Sequence, residues 1–142
     1  IRNINSIPLS IDDSLKVEVE LEGVLYTPFS NSKISIEQLL SNSFSKIDNS
    51  TSILFKAFQI FCSKSDELSD LTQLQKWGFE VPITLRTDDP KQVKRWHSQW
   101  IKNELFSNLP TNGIVAKCNS SLTKNFLGAS PSSPNWALAL TR

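Results

Sequence analysis

Apolar residues change their spacing along this chain, and each change marks a new element. Over residues 16–26, Val17, Val19 and Leu21 alternate with Glu18, Glu20 and Glu22, the period-two pattern of a half-buried strand. Ile36, Leu39, Leu40 and Phe44 then recur at helical spacing, which predicts a helix over 34–44. Residues 53–62 are rich in Ile and Phe, interrupted by Lys56 and Gln59, and predict a mostly buried strand. Ser69 or Asp70 is placed to cap a short helix ending at Trp77, with Gly78 as its left-handed stop. Residues 81–85 follow as a short strand whose Pro82 suits a sheet edge.

The second half carries sharper punctuation. Thr87-Asp88-Asp89-Pro90 sets an acidic cap before a proline at the first helical position. The helix it opens is expected to reach about Phe106, with Val93, Trp96, Trp100 and Leu105 on its buried stripe. Residues 112–118 predict a strand, 122–127 a short helix stopped by Gly128, and 136–140 a final apolar strand. Strands and helices are mixed without strict alternation, and three strands follow directly on turn signals. The expected class is α+β, a mostly antiparallel sheet with flanking helices, in a single domain over 1–142.

With 142 residues, 39% of them hydrophobic, the chain is long enough to bury one core. A net charge of +1 supplies no global field for nucleic acid, so any such contact is local. Lys91, Lys94 and Arg95 share a face of the Pro90 helix and form the candidate phosphate contact, although a solvated helix face is the more common explanation for such a run. The lone histidine, His97, reads as a surface residue, and the four tryptophans read as core. Cys62 and Cys118 stand far apart with no C-x-x-C spacing, which argues against a zinc site and for two buried thiols in a reducing compartment. No apolar run approaches the length of a membrane span, and no signal peptide is visible. The sequence opens on Ile1 and contains no methionine, as expected of a processed product or an excerpt.

Several stretches, in order, resemble NAD+-dependent DNA ligases. Ile4-Asn5-Ser6-Ile7-Pro8-Leu9 is similar to the family's I-R-S-I-P-L, and Glu20 to Pro28 (E-L-E-G-V-L-Y-T-P) to its E-V-R-G-E-V-Y-M-P strand. Ser43 to Asp48 lies where the family has G-S-L-R-Q-L-D, and Leu74 to Val81 looks like L-x-x-W-G-F-x-V. The clearest block is Leu109 to Leu122 (L-P-T-N-G-I-V-A-K-C-N-S-S-L), followed by Leu127 to Ser130 and Ala129 to Ala139 (A-S-P-S-S-P-N-W-A-L-A). The resemblance places the chain in the second half of the adenylation, or nucleotidyltransferase, domain. It implies a fold with an antiparallel sheet, NAD+ or AMP as ligand, and DNA as a partner. The family's nucleophilic lysine, in K-x-D-G, falls upstream of the region covered.

Set against that family, the site positions are largely replaced. Val24 stands where the ribose-binding glutamate would be, and a valine neither accepts a hydrogen bond nor holds a charge; it fits the buried face of a strand. The D-G pair has become Asn112-Gly113, which also reads as a turn before a strand. Lys117 does match the lysine that approaches the nucleotide phosphate, and it is the candidate cofactor-binding residue; alternation along a strand accounts for it as well. Thr141 replaces the final lysine, and Arg142, one residue on, faces the other way. The N-P-R-N segment has no counterpart before Ser43, and the arginine after it is Ser45.

Catalytic residues and metal ligands are therefore expected to be absent, and no cofactor to be required. The leading expectation is a degenerate, inactive adenylation-like module with a structural or binding role, its partner another protein or a larger assembly and its compartment cytoplasmic or organellar. A working ligase completed by a missing segment and a non-catalytic NAD+ or AMP sensor are the alternatives.

Overall fold

The computed structural model describes residues 4, 6–8, 10–11, 20–26, 54–61, 63–109 and 111–142. The helix expected over 34–44, the strand residues 16–19, the 43–48 motif and Cys62 lie outside the described residues. The chain divides into two compact units, Ile1–Ser63 with Leu68–Pro82 and Lys64–Glu67 with Ile83–Arg142. The class is α+β, and both sheets are antiparallel and two-stranded.

In the first unit, β1 (Leu21–Tyr26) pairs with β2 (Leu54–Ile60). Register decides what this hairpin buries. Leu21 faces Ile60 and Glu22 faces Gln59, but Gly23 faces Ala57, so β2 carries one extra residue, Phe58, at that point. A strand without this bulge would turn Ile60 and Ala57 to opposite faces; with it, both reach the core. Leu21, Phe55 and Ile60 pack there against Ala57, Leu71, Leu74, Trp77 and Phe79.

The last four of these come from α1 (Glu67–Lys76) and its exit. The helix starts two residues before the expected cap, and Asp70 accepts a hydrogen bond from the Ser63 hydroxyl at 2.6 Å instead of capping. Its end is as expected: Gly78 adopts φ +86°, its N–H donates to Gln75 and that of Phe79 to Leu74. This closing motif satisfies two terminal carbonyls and drops Phe79 onto the core beside Leu74.

No strand forms over 81–85. The pairing stops at Glu80, whose carbonyl accepts from Ala57 N–H at 2.9 Å. Pro82 has no N–H to continue a ladder, and Ile83 and Leu85 are exposed.

In the second unit, α2 (Pro90–Ile101) begins as its sequence dictates, with Asp89 as N-cap and proline at N1. It ends five residues before Phe106. Asn103 takes φ +62° and its N–H donates to Trp100, while Glu104 N–H donates to Gln99, the same closing motif with asparagine in glycine's place. Trp100 is buried, and its indole N–H donates to Thr111 Oγ1 at 2.8 Å.

Strands β3 (Gly113–Lys117) and β4 (Ala137–Thr141) pair in continuous register from Gly113–Thr141 to Lys117–Ala137. Gly113 does not have the left-handed backbone of a tight turn. A side chain there would instead meet the Leu140 carbonyl at 2.9 Å, so glycine serves close strand approach. Helix α3 (Ser121–Leu127) is capped by Ser120 and stopped by Gly128 at φ +63°.

Candidate functional site

Lys117 ends β3, on the strand face that it shares with Ala137 of β4. Cys118 N–H donates to the Trp136 carbonyl at 2.9 Å, which extends the pairing by one step and draws Trp136 beside Lys117. The next residues turn into α3. Glu67 N–H donates to the Asn119 carbonyl at 2.9 Å, and the Asp66 carboxylate accepts from Ser121 N–H at 2.8 Å. These two bonds set the Glu67 side chain between the end of β3 and the second turn of α3, where Lys124 stands.

Glu67 therefore meets two cations. Its Oε1 accepts from Lys117 Nζ at 2.7 Å, and its Oε2 accepts from Lys124 Nζ. Both ammonium groups also lie over the Trp136 ring, 5.9 and 4.8 Å from its centroid. The side chains of Lys117, Lys124 and Glu67 are 21%, 15% and 13% exposed, so the cluster is partly withdrawn from water and its charges are only partly screened. Trp136 is a half-buried platform here, a correction to its reading as core.

The other candidate positions belong to other elements. Lys91, Lys94 and Arg95 occupy exposed positions on α2, with Arg95 Nη1 donating to Gln92 Oε1 at 3.0 Å. Thr141 sits at the far end of the hairpin, four strand residues or about 13 Å from the Lys117 pair. Its carbonyl accepts from His97 Nε2 at 3.0 Å, so His97 is tied to β4 and is half-buried, not a free surface residue. Arg142 places its guanidinium 5.2 Å from the Trp100 ring centroid.

Val24, in the first unit, is 46% exposed, which corrects its assignment to a buried strand face. Alternation along β1 puts Leu21, Gly23 and Leu25 on the other side, and Val24 shares the face of Glu22. It is paired with Lys56, whose ammonium lies 5.3 Å from the Tyr26 ring centroid. The Tyr26 hydroxyl donates to Glu80 Oε2 at 3.2 Å. Burial first, and then the Glu80 charge and hydrogen bond, hold the Tyr26 phenol above its ordinary pKa.

Cys118 is a free, half-buried thiol. Among the described residues no group of three or more His, Cys, Asp or Glu could hold a metal ion, and no helix is long and apolar enough to cross a membrane.

Sequence reasoning singled out Lys117 but neither Glu67 nor Lys124. Glu67 is 50 residues from Lys117 and 57 from Lys124, and no local pattern connects them. The adjacent acids Asp66 and Glu67 at a helix start are already explained by the helix dipole, so they gave no signal for the two lysines.

No family model matches the chain. It is similar to proteins named DNA ligase from Christiangramia forsetii, at 21% identity over 98% of the chain, and Cytophaga hutchinsonii, at 24% identity over 98%. A shorter stretch, 55% of the chain, is 34% identical to a DNA ligase from Ehrlichia chaffeensis. The chain spans 24% of the length of the first two relatives and 11% of the third. Nearly its whole length is thus similar to one region of proteins that carry that name.

Proposed function

We propose that this chain is a degenerate relative of the second half of a ligase adenylation domain, one that does not transfer adenylate and serves as a structural or binding module of a larger assembly. The observation that carries the reading is the commitment of Lys117 to Glu67. Phosphoryl transfer depends on positive charge placed around the phosphate. Here the one lysine that matches the family's phosphate contact already has an internal anion, Val24 offers no group for a ribose hydroxyl, and Thr141 brings no charge. Leu122 and Phe126, one turn apart on α3 and 80% and 88% exposed, form apolar surface of the kind a protein partner covers.

The test is thermal denaturation of the chain titrated with NAD+, AMP and nicotinamide mononucleotide. A ligand that binds the folded state alone must raise the melting temperature. The reading expects a flat response in all three. A saturable rise that Lys117→Ala abolishes would replace it with nucleotide sensing, and nick sealing on mixing with the missing part of a ligase would replace it with shared catalysis.

A further inference from the structure

Helix α3 is inverted: its apolar residues face water and its charge faces the protein. Lys124 points inward, bonds Glu67 Oε2 and lies over the Trp136 ring. Leu122 and Phe126 are the most exposed of the large apolar side chains among the described residues. On a helical wheel both lie within about 20° of the direction opposite Lys124, one on each side of it. Thr123 and Asn125, both exposed, stand on the two shoulders of that ridge. The Asp66 carboxylate accepts from Ser121 N–H and fixes the same rotation from the helix start.

The surrounding surface lacks charge as well. Residues 118–140 contain one charged side chain, and it is Lys124. Ala129 to Ser133, which follow the Gly128 stop, are exposed and neutral. Asn135 ties this loop to the helix end, its N–H donating to the Gly128 carbonyl and its side-chain amide to that of Leu127 at 2.9 Å. A solvated helix face ordinarily carries charged and polar residues. Depletion of charge around an aromatic anchor is instead the composition of an interface centre.

We propose that α3 is the contact surface between two copies of this chain, packed antiparallel about a two-fold axis that meets the ridge opposite Lys124. This rests on the reading above, in which the chain is a binding module, and it names the partner. A two-fold contact sets a surface against itself, so that residue i meets j and j meets i. A patch of one sign would repel its own copy, and a neutral apolar patch does not. The ridge also matches itself in reverse. With the axis at Lys124, Leu122 of one copy meets Phe126 of the other, twice, and Thr123 stands level with Asn125, a hydroxyl beside an amide. Nucleic acid is disfavoured, because the ridge offers phosphates no cation. Two anchors per copy supply only part of the ~800 Å² that each partner gives a stable interface, so the dimer is expected to be weak and to grow with concentration.

The experiment is sedimentation equilibrium of the 142-residue chain over a wide range of concentration, alongside L122E, F126K and an equimolar mixture of the two variants. Both side chains are exposed, and an acid near the helix start and a base near its end suit the helix dipole. Both variants are therefore expected to keep the parent's melting temperature in dilute solution. The parent chain is expected to dimerise, and each variant alone to associate at least about tenfold more weakly. Mixing should restore dimers, because the axis sets the new acid against the new base and leaves the remaining Phe126 and Leu122 in contact.

A parent chain that stays monomeric throughout overturns the proposal and leaves α3 for a different protein to cover. Dimers that both variants leave intact overturn it too, since another face then holds them. Variants that stay monomeric on mixing overturn the antiparallel pairing on which the proposal stands. Stabilisation by a nucleotide, or nick sealing, would sink the functional reading and would not alter these outcomes, so the two failures are separable.

Discussion

The ring of Phe55 lies across Gly23 so closely that a methyl group at residue 23 would fall within it, and the Lys56 carbonyl would be 2.6 Å from the same methyl. The glycine of β1 is thus set by its neighbour on β2. Phe55 in turn meets Phe79 edge to face at 6.3 Å, which fixes the ring from its other side. Gly23→Ala must push Phe55 or the strand aside, and overpacking of this kind costs about 1–3 kcal/mol. Urea denaturation should show the midpoint falling while the slope stays constant.

Trp100 joins α2 to the segment that enters β3. It is 3% exposed, and its indole N–H donates to Thr111 Oγ1. Trp100→Ala is expected to destabilise the chain by about 3–5 kcal/mol. Thr111→Val keeps the shape but strands the N–H, at a cost of about 1–3 kcal/mol. Trp136→Ala should cost less than Trp100→Ala, because Trp136 is only half-buried. Equal losses at the two tryptophans in calorimetry would show that both are core residues, as the sequence pattern suggests.

What was legible in the sequence is what local chemistry decides. Asp89-Pro90 opens α2, Gly78 closes α1 and Gly128 stops α3, because each is set by backbone demands within one turn. The end of α2 escaped because Asn103 takes a left-handed conformation more usual for glycine. The strand over 81–85 failed on tertiary grounds: the sheet receives Glu80, and Pro82 supplies no donor beyond it. The bulge at Phe58 was invisible, since it depends on which residues of β1 stand opposite. The candidate site was legible only at Lys117, through the resemblance; its two partners arrive from sequence distances over which periodicity carries no information.

Asp89 tests the part that was most legible. Its carboxylate accepts from Lys91 N–H at 2.9 Å, satisfying one of the donors left open at a helix start. Asp89→Ala should cost about 0.5–2 kcal/mol, and Asp89→Ser much less, because serine also caps. Chemical denaturation of the two variants, side by side, separates loss of the cap from a change in surface charge. A loss as large in Asp89→Ser as in Asp89→Ala would assign the effect to charge.

Tyr26 is the chain's one tyrosine, so its ionisation is directly readable by ultraviolet absorbance. Burial, and then the Glu80 carboxylate with its hydrogen bond, raise its pKa above the ordinary value of 10.0. The Lys56 ammonium over the ring favours the phenolate and does not reverse that direction. Between the unfolded and folded pKa values the native chain holds a proton that the unfolded chain has released. The associated stability is fully present below about pH 10 and is lost as pH rises through the folded pKa. Tyr26→Phe should therefore flatten the alkaline fall in stability. Glu80→Gln should bring the phenol part of the way back, since it removes the charge and leaves the burial. A phenol in the parent chain that titrates at or below the free-tyrosine value would show that Lys56, not Glu80, governs this end of the hairpin.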